Sequence, residues 1–374
     1  MSLFKLRGNL TKTQNLVLGI VGLVILVAVW WILAEVNAEQ RAVIDDYETH
    51  LPSSILQDST VQQIDRDSLA RADSIKLANA TEFEKVYPIL PPPNHVVAAF
   101  PDLFQEDRLI YNSKLSIWRN LQGYFWAILI SVVVGFVIGL IPLFRGLFSK
   151  QVDALRYLPL TALTGLFIIW FGIDDKMKIA FLAFGILVYM LPVVVQRIDE
   201  VKDVYLKTVF TLGATDWQTI RSVYFPSVFS KLMDDIRVLT AISWTYIIIA
   251  ELLNRQGGLG ALIYVKARQG QLEKVFAILI VIILIGFLQD RIFVYMDRRL
   301  FPHKYAKKRI NGIKEVEYGL MAILMAITLA IIVPAIIPST IGVMGNLATI
   351  LAITGLVISL YGEYRLRRAS VEAA

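Results

Sequence analysis

Long apolar blocks separated by short charged loops constrain this chain more than any other feature. An apolar run of about 18 residues crosses a hydrocarbon layer roughly 30 Å thick as one helix, with its backbone polar groups satisfied internally. Eight blocks are predicted to do so: Leu16–Leu33, Gly123–Pro142, Leu158–Ile173, Ile179–Val195, Ile236–Leu253, Val275–Gln289, Tyr318–Ile337 and Ile341–Tyr361. With 56% of 374 residues hydrophobic and 18% charged, water cannot be the solvent for most of the chain. The expected fold is an all-α integral membrane protein with about eight transmembrane helices.

The formal charge of +6 comes with no basic stripe interleaved with aromatics, so no nucleic acid is expected as a partner. The basic residues instead flank apolar blocks and read as topology signals. Lys5, Arg7 and Lys12 precede the first span; Arg145, Lys150 and Arg156 follow the second. Arg298, Arg299, Lys304, Lys307, Lys308 and Arg309 follow the sixth, and Arg365, Arg367 and Arg368 follow the last. Eight spans with both termini cytoplasmic place every basic loop inside. The expected location is a plasma membrane of the bacterial inner-membrane type. A cleaved leader ending at Val36-Asn37-Ala38 is the rival reading of the first span, but the run is long and ends in Trp30-Trp31, which suits an interfacial anchor.

Five segments follow: an N-terminal helix and tail (1–36), an outside loop (37–117), a core (118–302), a basic cytoplasmic linker (303–317) and a C-terminal hairpin with a basic tail (318–374). The outside loop is polar and contains Pro88 and Pro91-Pro92-Pro93. The longest internal connection runs from Gln196 to about Asp235. There is no cysteine, and His50, His95 and His303 are far apart, so no metal site is expected and metal or hydrolytic catalysis has no support.

The internal connection reads Lys207-Thr208-Val209, then Gly213-Ala214-Thr215-Asp216-Trp217-Gln218, then Val223-Tyr224-Phe225-Pro226. A glycine after one or two helical turns lets the chain reverse through positive φ, and a proline thirteen residues later can begin the next helix. Leu212, Trp217 and Ile220 put apolar bulk on an exposed loop, as a docking surface requires; an interfacial connector anchored by Trp217 is the plainer alternative. The pattern resembles the "EAA" loop of ABC importer permeases, with Gly213, Val223 and Pro226 at matching positions.

Further motifs are similar to the nitrate/sulfonate/taurine type of those permeases. They are Leu90-Pro91-Pro92-Pro93, Ser116-Ile117-Trp118-Arg119 with Gly123, Leu158-Pro159, Trp170-Phe171-Gly172-Ile173, Ala250-Glu251-Leu252-Leu253 and Gly258-Leu259-Gly260, in order over residues 88–302. Two departures stand out. The family's Glu-Ala-Ala is Lys207-Thr208-Val209 here, and the usual six-span family has no counterpart of the C-terminal hairpin or the long outside loop.

The resemblance implies a type I importer-like permease core, a second permease copy, homodimeric or related, and cytoplasmic ABC ATPase subunits gripped by a coupling helix. It also implies an extracytoplasmic binding protein that delivers a small anionic solute. Lys207, Leu212, Gly213, Ala214, Thr215, Asp216, Trp217, Gln218 and Pro226 are the candidate ATPase-coupling residues. No Walker motif occurs, so this chain is expected to be no enzyme and to carry no cofactor; ATP and Mg are expected on the partner.

For the translocation pathway the candidates are Ser243 and Thr245, whose hydroxyls can equally bond their own helix backbone, and Glu251. Glu251 reads either as a gate or ion-pair residue or as a solvated helix end, with Arg255 one turn later as a partner. The alternatives are an ATPase-independent secondary transporter or channel, and a structural assembly subunit. The first is disfavoured because the spans are nearly free of charge and no internal repeat is seen; the second leaves the ordered motifs unexplained.

Overall fold

The computed structural model describes residues 10–42, 83–254, 256–304 and 312–372. Lys5, Arg7, His50, Arg255, Lys307, Lys308, Arg309 and most of the outside loop lie outside them. The described residues form two compact units: residues 1–107 with 266–279, and residues 108–265 with 280–374.

In the first unit, α1 (Lys12–Val36) opens with a reciprocal cap in which Thr11 and Gln14 satisfy each other's backbone N–H groups. Its 25 residues span about 37 Å and are apolar all round, the composition of a helix solvated by lipid. Two short strands, β1 (Glu39–Ala42) and β2 (Phe83–Val86), pair antiparallel. The helices α2 (Pro93–Ala98) and α3 (Phe100–Gln105) follow. The Trp30 indole donates to the Pro91 carbonyl at 3.0 Å, and Lys85 and Tyr87 both reach the Glu35 carboxylate, tying the end of α1 to the segment that leads into the core. Lys266 pairs with Asp107 at 2.6 Å, and Lys274 lies 3.3 Å from the same carboxylate.

In the second unit, α4 (Leu109–Leu140) packs along α7 (Asp175–Asp199). Gly123, Gly135 and Gly139 on α4 face Leu182, Val194 and Ile198 so closely that a Cβ at Gly135 would lie 2.5 Å from Val194. Small residues substitute for a hydrophobic drive between lipid-solvated helices by letting the backbones approach. Between them come α5 (Pro142–Leu155), a 3₁₀ turn (Leu160–Leu163) and α6 (Thr164–Phe171).

The predicted third span begins at a break: α5 bends by 97° from Leu160–Phe171, which is the helical part of the block Leu158–Ile173 and is too short to pass as a span by itself. Pro159 removes a donor, and only 12 residues are helical beyond it, about 18–20 Å of length. Seven helices are long and apolar enough to cross a membrane, or eight if this bent pair counts as one span. Both termini on one side require the bent segment to cross.

After α7 come α8 (Asp203–Thr211), α9 (Asp216–Thr219), a π turn (Ile220–Tyr224) and α10 (Phe225–Asn254), then α11 (Leu259–Arg268) and α12 (Leu272–Leu300). The hairpin, α13 (Ile313–Ile336) and α14 (Ile341–Glu372), packs in the same unit as the core. Its two helices meet at Gly319, Gly355 and Gly362, where added side chains would run into the facing backbone. Ile313, Val316, Leu320 and Leu366 bury against Tyr295, Met296 and Leu300 of α12, with Arg299 bonded to Glu363 at 2.6 Å. Gly355→Leu is expected to overpack this seam and to lower unfolding stability by about 1–3 kcal/mol in a detergent denaturation series. An unchanged transition would mean that the helices part freely.

Candidate functional site

The connection after α7 is built as a rigid corner. α8 ends at Leu212; the Gly213 amide donates to the Phe210 carbonyl at 3.0 Å and the Ala214 amide to Val209 at 3.1 Å, the double bond pattern of a Schellman cap. Gly213 has φ +74, the left-handed conformation that the reversal requires. Thr215 then caps α9 reciprocally with Gln218 and receives its side chain at the backbone, so one helix ends and the next begins within three residues.

The helix does not begin at Pro226. It runs from Asp216 through the π turn, and Pro226 sits two residues into α10. A proline inside a continuous helix deletes one i→i−4 bond, and a π turn immediately before it spreads that loss over a wider loop.

Leu212 is 80% exposed and Trp217 is 70% exposed at the corner, with Val204, Phe210 and Lys207 exposed beside them. Behind, between α8 and the start of α10, lies a groove of about 390 Å³ lined by Tyr205, Thr208, Val209, Ser222, Val223 and Pro226. The corner is thus a preorganised ridge with an apolar crown.

Its root is clamped by a network that sequence reading did not find. Arg197 grips Asp235 through two bonds of 2.7 and 2.8 Å and reaches Glu200 at 2.8 Å; Lys231 donates to Glu200 at 2.9 Å. The two ends of the connection are therefore riveted together 38 residues apart in sequence. The signal was present only as unpaired charges near two helix ends. The bond from Lys231, and then those from Arg197, hold the Glu200 carboxyl down at about 2. A depressed carboxylate stabilises the fold above its ordinary value of 4.5 and loses that contribution as pH falls toward 2. Glu200→Gln is accordingly expected to lower the melting temperature at neutral pH, with the gap to wild type closing as pH falls through that window. A gap that does not vary with pH would contradict the pairing.

α10 carries the corner to the opposite end of the unit, about 37 Å along its axis from Pro226 to Glu251. There Glu251 is fully buried, so the solvated-end reading fails, and its partner is Arg119 of α4 at 3.0 Å. Arg119, 2% exposed, also donates to the carbonyls of Gly257 at 2.9 Å and Gln256 at 3.1 Å and to Asp175 at 2.6 Å. The Ser116 hydroxyl lies 2.8 Å from both Glu251 oxygens and accepts from the Leu259 amide; the Gly260 amide donates to Glu251 at 3.0 Å, and the Gly258 amide to Asn112 at 2.9 Å. The Gly258-Leu259-Gly260 loop is wrapped around the carboxylate. Gly258 has φ +101, and a Cβ there would lie 2.2 Å from Glu251.

The other pathway candidates separate. Ser243 is buried, donates to its own helix at Thr240 and also bonds Asn120 of α4 at 3.0 Å, so it ties helices together. Thr245 is exposed on α10. The expectation of nearly charge-free spans needs correcting: Arg119, Lys178 and Glu251 are all buried, because the helices continue beyond their apolar blocks and pair their charges with one another. Asp175, the first residue of α7, takes part in this cluster. Among the described residues no His/Asp/Glu group has the arrangement of a metal site.

Residues 97–302, more than half the chain, match the family described as the binding-protein-dependent transport system inner membrane component. The chain belongs to that family. It is 28% identical over 215 residues to the putative aliphatic sulfonates transport permease protein SsuC of Bacillus subtilis, covering 57% of this chain and 77% of that one. It is 28% identical over 218 residues to the taurine transport system permease protein TauC of Escherichia coli, covering 57% and 79%. Among solved structures, a chain of the inward-facing MetNI methionine ABC transporter aligns at 19% identity with a TM-score of 0.46, covering 52% of this chain and 98% of that one. The protein is thus a multi-pass permease component of a binding-protein-dependent transport system. The corner at Gly213 and the Arg119–Glu251 cluster both fall within the matched residues, whereas α1, α13 and α14 lie beyond them.

Proposed function

We propose that this permease works as one of two membrane subunits of an ATP-driven importer, its corner at Lys207–Gln218 gripping a cytoplasmic ATPase that holds ATP and Mg on its own chain. The observation that carries this reading is the preorganised, apolar-crowned ridge mounted on a helix that is continuous from Asp216 to Leu253. A ridge fixed by a Schellman cap and a capping box costs little to order on docking, and a stiff helix conveys its displacement across the bilayer. ATP binding would favour one arrangement of the helices over the other only through tighter contact in that state. Both termini lie in the cytoplasm, and a binding protein delivers the solute from outside. The solute is a small organosulfonate such as an alkylsulfonate or taurine, following the names of the relatives, or a nitrate-like anion, following the sequence motifs alone.

Purification in mild detergent with associated proteins tests the reading. An ATPase bearing a phosphate-binding loop should co-purify with the wild type and be lost when Gly213 and Trp217 are replaced. Failure of any ATPase to co-purify would sink the importer assignment. Accessibility labelling of cysteines introduced near each end tests the topology; ends on opposite faces would show that α6 does not cross.

A further inference from the structure

A second polar site lies on α5, away from the Glu251 cluster and beside the clamp at the corner's root, where Gln196 donates to Glu200. α5 starts at Pro142, two residues after the spanning helix α4 ends, and bends by 97° from the helical segment that follows it. If that segment crosses the bilayer, α5 lies close to the plane of the membrane surface. Its sequence suits that position. Leu143, Leu147 and Phe148 are exposed on one side, and Arg145, Ser149, Asp153 and Arg156 recur at a spacing that places them on one stripe.

That stripe faces the end of α7 across a cavity of about 180 Å³, with Val152 and Val195 among its apolar lining and Gln196 and Asp199 on its far wall. The volume equals that of about six liquid waters at ~30 Å³ each and falls below the range of ~300 Å³ upward that holds a drug-sized molecule. It is the scale of a compact headgroup. Two guanidiniums and two carboxylates enclose it as separate pairs: Arg145 bonds Asp199 at 2.8 and 2.5 Å, while Arg156 bonds Asp153 once, at 2.8 Å. A guanidinium has five donors and a carboxylate about four acceptor positions, so the single Arg156–Asp153 bond leaves capacity of both signs directed at one small space. Gln196 uses its amide N–H on Glu200, which leaves its carbonyl to accept.

We propose that this cavity binds the headgroup of a cytoplasmic-leaflet phospholipid carrying both a phosphate and a primary ammonium, as in phosphatidylethanolamine. The phosphate accepts from Arg156 and Arg145, the ammonium donates to Asp153 and the Gln196 carbonyl, and the acyl chains lie along Leu143, Leu147 and Phe148. A purely anionic headgroup leaves the carboxylates facing phosphate. A quaternary ammonium has no N–H to donate.

The full chain, delipidated in detergent and offered short-chain phosphatidylethanolamine, phosphatidylcholine or phosphatidylglycerol, tests this by native mass spectrometry. Phosphatidylethanolamine should be retained about tenfold more than either of the others, the effect of one charge-assisted hydrogen bond. Asp153→Asn should erase its advantage over phosphatidylcholine, and Arg156→Gln should weaken retention of all three, both variants keeping wild-type helicity by circular dichroism. Equal retention of the three lipids, or a preference unchanged in Asp153→Asn, would overturn the site. Full competition by soluble phosphoethanolamine at equal concentration would overturn the lipid as its source.

Discussion

Trp217→Ala is expected to weaken ATPase binding by about 30-fold and to abolish solute uptake while leaving the chain folded. Large aromatic anchors at the centre of an interface cost about 2 kcal/mol or more when truncated, and each ~1.4 kcal/mol is a factor of ten. The side chain is 70% exposed in the isolated subunit, so little internal packing depends on it. Leu212→Ala on the same crown should cost less, and the two together should leave ATP hydrolysis unresponsive to solute. Titration of purified ATPase against each variant in lipid nanodiscs, beside vesicle uptake, gives the measurement. Wild-type affinity in the double variant would remove the crown from the interface. Lys207→Glu separates charge from shape: altered affinity with an unchanged corner would show that the cation is read by the partner.

Arg119→Met is expected to destabilise the subunit by about 3–5 kcal/mol, because it strands the fully buried Glu251 carboxylate. The double variant Arg119→Met with Glu251→Met should be more stable than Arg119→Met alone. It should still fall short of wild type, since the Gly260 amide loses its acceptor and the carbonyls of Gln256 and Gly257 lose their donor, at about 1–3 kcal/mol for each group left unpaired. Thermal unfolding in detergent across this cycle gives the coupling. Additive losses would mean that the two charges do not depend on one another and that the glycine loop is held by something else.

The parts legible in the sequence were those governed by local rules. Apolar block length placed the spans, and the reversal at Gly213 followed from the conformational freedom of glycine, which the positive φ confirms. The exposure of Leu212 and Trp217 was legible because apolar bulk on a charged loop needs no neighbours to be noticed. The C-terminal hairpin is likewise present, its two helices joined by a 3₁₀ turn at Pro338–Thr340. Pro226 misled because its local preference for a first turn was outweighed by continuity: the π turn before it absorbs the missing bond, and the helix keeps its direction. The third span is shorter than its apolar block suggested, because hydropathy sums composition and does not register that the helix starts only after Pro159.

By itself, then, the sequence determined the solvent of the chain, the approximate number of crossings and the corner that reverses the connection after α7. Each of these depends on runs of residues contiguous in the sequence. Only the tertiary structure decided which charges are partners. Glu251 pairs with Arg119 across 132 residues, and Arg197 with Asp235 across 38, because burial in a low-dielectric interior makes an unpaired charge costly, and only folding decides which opposite charge lies within reach.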